Sequence, residues 1–207
     1  GWSDAVGVLV SSYFDQYLQD ELFGEYAGKN VNFDYSQIRA AGSYLKSSGG
    51  KAPGPEPLRK ALTNIRKILD DALKNGQKRL EPIQAYDIIM HTADAVISGG
   101  VRRSATICVF SPDDTAMATA KTGTWFIDNP QRGRSNNSAL LVRDETTKEQ
   151  FAELMKSVKE FGEPGFVWAD STELLVNPCV EIGMWPVCEK TGESGWQACN
   201  LSTINCS

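Results

Sequence analysis

Apolar residues recur at helical spacing in four stretches of the chain. Val6, Leu9, Val10, Tyr13, Phe14 and Tyr17 fall at intervals of three and four, which predicts an amphipathic helix over 3–20 with Asp4 near its start. Leu58, Leu62, Ile65, Ile68, Leu69 and Ala72 form one stripe of a helix over 58–74. Residues 82–100 predict a third helix, with Pro82 in its first turn and Gly99-Gly100 as its stop. TKEQFAELMKSVKEF, residues 147–161, predicts a fourth.

Between these stretches the period changes. In VNFDYSQI, residues 31–38, Val31, Phe33 and Tyr35 alternate with polar residues, the pattern of a strand. VRRSATICVF (101–110) is β-branched and apolar and predicts a buried strand. SALLVR (138–143) is short and extended, and GEPGFVWAD (162–170) is a turn followed by a strand. The segment 40–57 holds four glycines and three prolines, too many breakers for regular structure, so it is a loop. Residues 112–137 read as irregular. Helix–loop–strand units in succession predict an α/β fold with buried, mostly parallel strands.

The chain has 207 residues, 41% hydrophobic and 23% charged, the balance of one folded domain rather than of disorder. A net charge of −5 argues against direct nucleic-acid or membrane-surface binding, which needs a basic face. No apolar run reaches the roughly 18–20 residues of a membrane span. The opening GWSDAVGVLV lacks the basic region of a signal peptide. Five cysteines, an odd number, fit cytoplasmic thiols better than a secreted disulfide scaffold. The missing initiator Met and the unpunctuated ending CNLSTINCS are expected of a piece of a larger protein.

The chemistry concentrates in NPCVEIGMWP, residues 177–186. If this backbone is extended, Asn177, Cys179 and Glu181 share one face, and Pro178 biases Asn177 toward that conformation. A thiolate beside Glu181 is disfavoured because like charges raise both pKa values. A simple nucleophilic cysteine wants a cationic neighbour instead. The single histidine, His91, lies on an apolar helix far away in sequence and is read as an ordinary core or surface histidine. No two cysteines have the spacing of a zinc site or of a Cys-x-x-Cys redox motif, so no metal is assigned. Cys179 is then either a small buried hydrophobe or a neutral thiol held between an amide and a carboxylate, an arrangement suited to hydrogen-atom chemistry.

NPCVEI, followed by CNL at 199–201, resembles the catalytic subunit of ribonucleotide reductase. SSGGKAPGPEPL (47–58), SGGVRRSA (98–105), SNNS (135–138) and GEPGF (162–166) are similar to further blocks of that family, in its order. NPC-x-E and VRRSA look most like the adenosylcobalamin-dependent class II enzymes. The oxygen-dependent class, and a noncatalytic nucleotide-binding or assembly fragment, are the alternatives.

The resemblance implies roles. Cys179 matches the cysteine that becomes a thiyl radical and takes the 3′-hydrogen of the ribose. Glu181 matches the base for the 3′-hydroxyl proton, and Asn177 the amide that bonds the ribose hydroxyls. Cys199 matches half of the redox-active disulfide, whose other half is expected before Gly1. The implied fold is part of a ten-stranded α/β barrel, all 207 residues forming one partial domain, with 177–199 as a finger loop carrying the radical cysteine. The loop 40–57 resembles the specificity loop that answers dNTP or ATP effectors. In it Gly42, Ser43, Lys46, Gly49 and Gly50, and just before it Arg39, are the candidates, although the two cations can equally stand solvated. Arg102 and Arg103 can face a nucleotide or form a salt bridge. Asn136 and Asn137 can line the substrate pocket or make Asx turns. Expected partners are a ribonucleotide, a thioredoxin- or glutaredoxin-type reductant, the remaining reductase segments and a second copy, with the first helix as a dimer face. Cys108 is read as core and Cys188 as incidental, and Cys206 matches no family residue. Alone, the chain is expected to be inactive and to expose sheet edges.

Overall fold

The computed structural model describes residues 1–14, 22–46, 50–98, 102–197, 199 and 204, with the backbone alone for 97, 98, 102 and 103. The chain packs as two compact units, Gly1–Ala105 with Asn129–Arg134, and Thr106–Asp128 with Ser135–Ser207.

The first unit is helical. Helix α1 (Trp2–Ser11), α2 (Glu56–Lys74) and α3 (Pro82–Ala95) surround Leu9, Val31, Leu58, Leu62, Ile65, Leu69 and Ile88. The stripe read on α2 is the face it buries. Full burial of each such Leu or Ile is worth about 1.5–3 kcal/mol, so this face holds the unit together. Glu56 in the first turn and Lys74 in the last both suit the helix dipole.

Four predicted elements differ here. Helix α1 ends at Ser11, not at 20, because the Ser12 carbonyl accepts from Gly28 N at 3.1 Å and its hydroxyl folds back on Leu9 O at 2.7 Å. Tyr17 lies outside the described residues. Residues 31–38 form no strand, although Val31, Phe33 and Tyr35 do face the core. Side chains satisfy this backbone in place of a neighbouring strand: Arg66 Nη2 donates to Val31 O at 2.7 Å, and Asp34 Oδ1 accepts from Ser36 N at 2.9 Å. Helix α3 stops at Ala95, and the strand expected over 101–110 is divided. Arg102–Arg103 (β2) pairs antiparallel with Ile97–Ser98 (β1), and a separate strand begins at Thr106. The predicted stop Gly99-Gly100 lies outside the described residues.

The second unit is a parallel sheet, order β3-β4-β5, made of Thr106–Phe110, Ser135–Val142 and Gly165–Ala169. Central β4 is the most buried, with Ala139 and Leu141 fully inaccessible; in β3 only Phe110 is buried. Residues 112–137, read as irregular, supply two short helices, α4 (Thr115–Ala118) and α5 (Trp125–Asp128), a 3-10 turn (Pro130–Arg134) and the start of β4. Helix α6 (Lys148–Phe161) joins β4 to β5. Its capping box is reciprocal: Gln150 N donates to Thr147 Oγ1, and Thr147 N to Gln150 Oε1. Gly162, at φ 72°, ends it in the left-handed conformation. Phe151 seats α6 on β5 through Phe166 and Trp168, with ring centroids 5.3 and 5.7 Å away. The fold is therefore mixed α/β with a parallel sheet, as the element order predicts. After β5 comes a small antiparallel hairpin of β6 (Leu175–Val176) and β7 (Gly183–Met184).

Candidate active site

The hairpin β6–β7 carries the NPC-x-E motif in its connection. Leu175 pairs with Met184 and Val176 with Gly183, so residues 177–182 form the loop. Val180 N donates to Asn177 O at 2.9 Å, which closes a turn over Asn177-Pro178-Cys179-Val180. Val180 sits at φ 69°, a conformation that β-branched residues rarely adopt. The extended geometry expected around Cys179 is thus replaced by a turn, and the shared strand face of residues 177, 179 and 181 does not exist.

Asn177 is the anchor of this turn. It is 2% exposed. Its Oδ1 accepts from Ile182 N at 3.0 Å and its backbone N–H donates to Ile182 O at 3.2 Å. Its Nδ2 donates to Cys199 Sγ at 3.7 Å. Cys179 and Glu181, by contrast, are exposed, as is Cys199. A buried amide therefore links the turn of one cysteine to a second cysteine 20 residues later.

The sheet holds the turn from the other side. Asn136, near the start of β4, donates from Nδ2 to Pro178 O at 3.2 Å, and Ser138 Oγ donates to Asn136 Oδ1 at 3.1 Å. Asn137, 1% exposed, accepts from Ser135 Oγ at 2.6 Å. Lys121 is buried beside them, its ammonium donating to Ser135 O and, at 3.0 Å, to Glu163 Oε1. Of the predicted residues, then, Asn177 and Cys199 are joined directly, and Asn136 reaches the same turn through Pro178 O. Lys121, Ser138 and Glu163 were not foreseen. A lone lysine between small residues in TAMATAKTG gives no pattern that marks it as buried.

Comparison with known proteins agrees with the motif. Three proteins named as adenosylcobalamin-dependent ribonucleoside-triphosphate reductases align with 99% of this chain. They come from Mycobacterium phage D29, 28% identical over 234 residues, from Dictyostelium discoideum, 30% over 219, and from Levilactobacillus brevis, 33% over 225. The chain is homologous to the adenosylcobalamin-dependent ribonucleotide reductases. It spans 31%, 26% and 27% of the length of these three relatives. No protein-family model matches the sequence, and no solved structure does.

The other residues singled out by the resemblance to ribonucleotide reductase lie in the helical unit. Around the loop, Tyr44 bridges to Lys51, Leu45 N donates to Gly50 O at 2.8 Å and Ala52 N to Ser43 O at 2.7 Å. Gly42 adopts φ 83° in open space, which only glycine tolerates easily. Arg39 and Lys46 are exposed, and Arg39 lines a cavity of about 860 Å³ with Trp2, Phe33, Tyr35 and Leu45. Gly49 lies outside the described residues. Arg102 and Arg103 are in β2 of this unit, and their side chains are outside the description. The reductase motifs thus fall in both units, with Asn136 and Asn137 in the sheet unit.

Among the remaining cysteines, Cys108 is half-buried on β3, and burial pushes its thiol pKa up. Cys188 is exposed, and the Thr191 hydroxyl, followed by nearby backbone N–H groups, holds its thiol below the ordinary value. Cys206 lies outside the described residues. No helix among them is long and apolar enough to cross a membrane.

Proposed function

We propose that this chain is the part of an adenosylcobalamin-dependent ribonucleotide reductase that carries the radical cysteine. The complete protein would convert ribonucleotides, triphosphates by the names of its relatives, to 2′-deoxyribonucleotides in the cytoplasm. The observation that carries this reading is the turn at Cys179 tied through Asn177 to Cys199. In this reading the Asn177 amide links the turn of the one-electron thiol to a reducing thiol.

The steps follow from what each group can do. Adenosylcobalamin, when bound, would supply the radical initiation that the side chains of this chain cannot. The requirement on this chain is a reachable thiol, and exposed Cys179 fits it. Its sulfur gives up a hydrogen atom, takes the 3′-hydrogen of the ribose, and later returns it. Glu181 accepts the 3′-hydroxyl proton, and Asn177 holds the turn and hydrogen-bonds the sugar. The 2′-hydroxyl leaves as water, an acid–base step that needs a carboxylate within reach. The two electrons come from Cys199 and a second thiol outside this chain, which close to a disulfide. A thioredoxin- or glutaredoxin-type protein reopens it.

In this reading the sheet β3–β4–β5 is a section of the ten-stranded barrel, 177–199 is its finger loop, and neighbouring strands cover the open edges of β3 and β5. Residues 40–57 with Arg39 and Lys46 form the loop that senses dNTP or ATP effectors. The isolated chain is inactive because half of the reducing pair lies elsewhere. The deciding experiment assays the complete polypeptide with a dithiol. Deoxynucleotide formation should require added adenosylcobalamin and vanish in Cys179→Ser. Activity that survives this change, or that depends on iron and oxygen instead, overturns the reading.

A further inference from the structure

We infer that Lys121 is a positioning residue for the Cys179 turn, acting through the starts of β4 and β5 and the Asn136 side chain; this rests on the reductase reading of that turn. Lys121 is only 4% exposed. An ammonium in such a place is strongly unfavourable unless paired, and a leucine would fill the same space without that penalty. The ammonium is instead committed to two partners that matter for geometry. It donates to Ser135 O, the first carbonyl of β4, and to Glu163 Oε1 just ahead of β5. The Trp125 ring covers it, with its centroid 5.7 Å from Nζ. The Cys108 thiol feels the same ammonium, which offsets part of the rise in thiol pKa that burial causes.

From the strand starts fixed in this way, the chain of contacts runs to the motif. Gly165 lies against Ser138, where an added Cβ would stand 2.8 Å from Oγ. Ser138 Oγ donates to Asn136 Oδ1, which fixes which way the amide points, and Asn136 Nδ2 then holds Pro178 O. Pro178 is bonded to Cys179. Releasing Lys121 removes one tie from Ser135 O and one from Glu163 together, and loosens the strand start from which Asn136 reaches the turn.

The test uses the complete polypeptide and reads each cysteine separately by peptide mass spectrometry after iodoacetamide treatment, with exposed Cys188 as the internal reference. In Lys121→Met, labelling of Cys179 relative to Cys188 should rise several-fold. kcat for deoxynucleotide formation should fall by about 10- to 100-fold, the scale of a small misplacement at a reacting group, with KM unchanged. Lys121→Arg, which keeps the charge and the donors, should recover much of both. Glu163→Gln keeps the shape, serves if Lys121→Met does not fold, and should raise Cys179 labelling in the same sense. Unchanged or lower Cys179 labelling in a folded variant overturns the inference. If the wild-type protein makes no deoxynucleotide, the functional reading falls, while the labelling still decides the role of Lys121.

Discussion

Asn177 Nδ2 lies 3.7 Å from Cys199 Sγ, and the rest of the same amide is spent on the turn that presents Cys179. The two halves of this side chain can be separated. Asn177→Asp keeps an acceptor for Ile182 N and loses the donor to sulfur, whereas Asn177→Ala loses both. The bond from Ile182 N is worth about 1 kcal/mol. Amide exchange at Ile182 should therefore quicken roughly fivefold in Asn177→Ala and change little in Asn177→Asp. Both variants lose the donor to the exposed Cys199 Sγ and should change the alkylation rate of that thiol. Equal exchange at Ile182 in the two variants would show that the turn does not depend on this amide.

Asp87 on α3 receives Arg132 at both oxygens, Nε to Oδ1 at 2.8 Å and Nη2 to Oδ2 at 2.6 Å, and Gln131 Nε2 as well, at 3.0 Å. Both charges are largely buried, 14% and 12% exposed. Asp87→Ala leaves the guanidinium without its counter-charge and should destabilise the helical unit by about 3–5 kcal/mol. Asp87→Ala combined with Arg132→Ala should cost clearly less than the sum of the single changes. Urea unfolding of the complete polypeptide, followed by exchange at α3 amides, measures the cycle. Additive effects would show that the pair does not latch the Pro130–Arg134 turn onto α3.

These two relationships mark where the sequence is and is not legible. Helices α2, α3 and α6 are readable because each presents a long apolar stripe, and a stripe is a local property. The alternation in 31–38 correctly tells which residues face the core. It does not tell that Arg66 and Asp34, rather than a neighbouring strand, satisfy the backbone. The turn at 177–180 has a local signal that competes with extension: Asn-Pro is a turn dipeptide, and Val180 N closes on Asn177 O. Asp87 and Arg132 are 45 residues apart, and Lys121 and Glu163 are 42 apart. No periodicity couples positions that far apart, so the buried charge pairs become visible only once the strands and helices are placed.

His91 gives the helical unit a pH dependence with a definite sign. Burial, the largest cause, lowers its pKa below the ordinary 6.5, with Asp87 and Asp94 pulling the other way. Asn64 Nδ2, 3.4 Å from His91 Nδ1, suits a neutral ring that accepts there. The unfolded chain takes up the proton first as pH falls, so it binds more protons than the folded one in that window. Stability from this residue is fully present above pH 6.5 and declines as pH falls from there toward the lower folded value. His91→Gln keeps a polar group facing Asn64 and removes the titration. Urea midpoints measured across this range should fall less steeply for His91→Gln than for the wild type. Parallel slopes would show that the histidine titrates alike in both states.

Gly165 pairs with Ser138 in the β4–β5 register, and its contact makes the last prediction. An added Cβ would sit 2.8 Å from Ser138 Oγ and 3.6 Å from Asn136 Oδ1. Ser138 is 2% exposed, so the hydroxyl has little room to retreat, and any retreat breaks its bond to Asn136. Gly165→Ala should therefore destabilise the sheet unit by about 1–3 kcal/mol, the range for overpacking. It should also raise Cys179 labelling, because Asn136 loses its fixed orientation toward Pro178. Gly165→Ala with Ser138→Ala removes the clash and should recover stability. Cys179 labelling should stay high, because the serine that orients Asn136 is gone. Recovery of stability and labelling together in the double variant would mean that packing at Gly165, and not the Ser138–Asn136 bond, is what the turn feels.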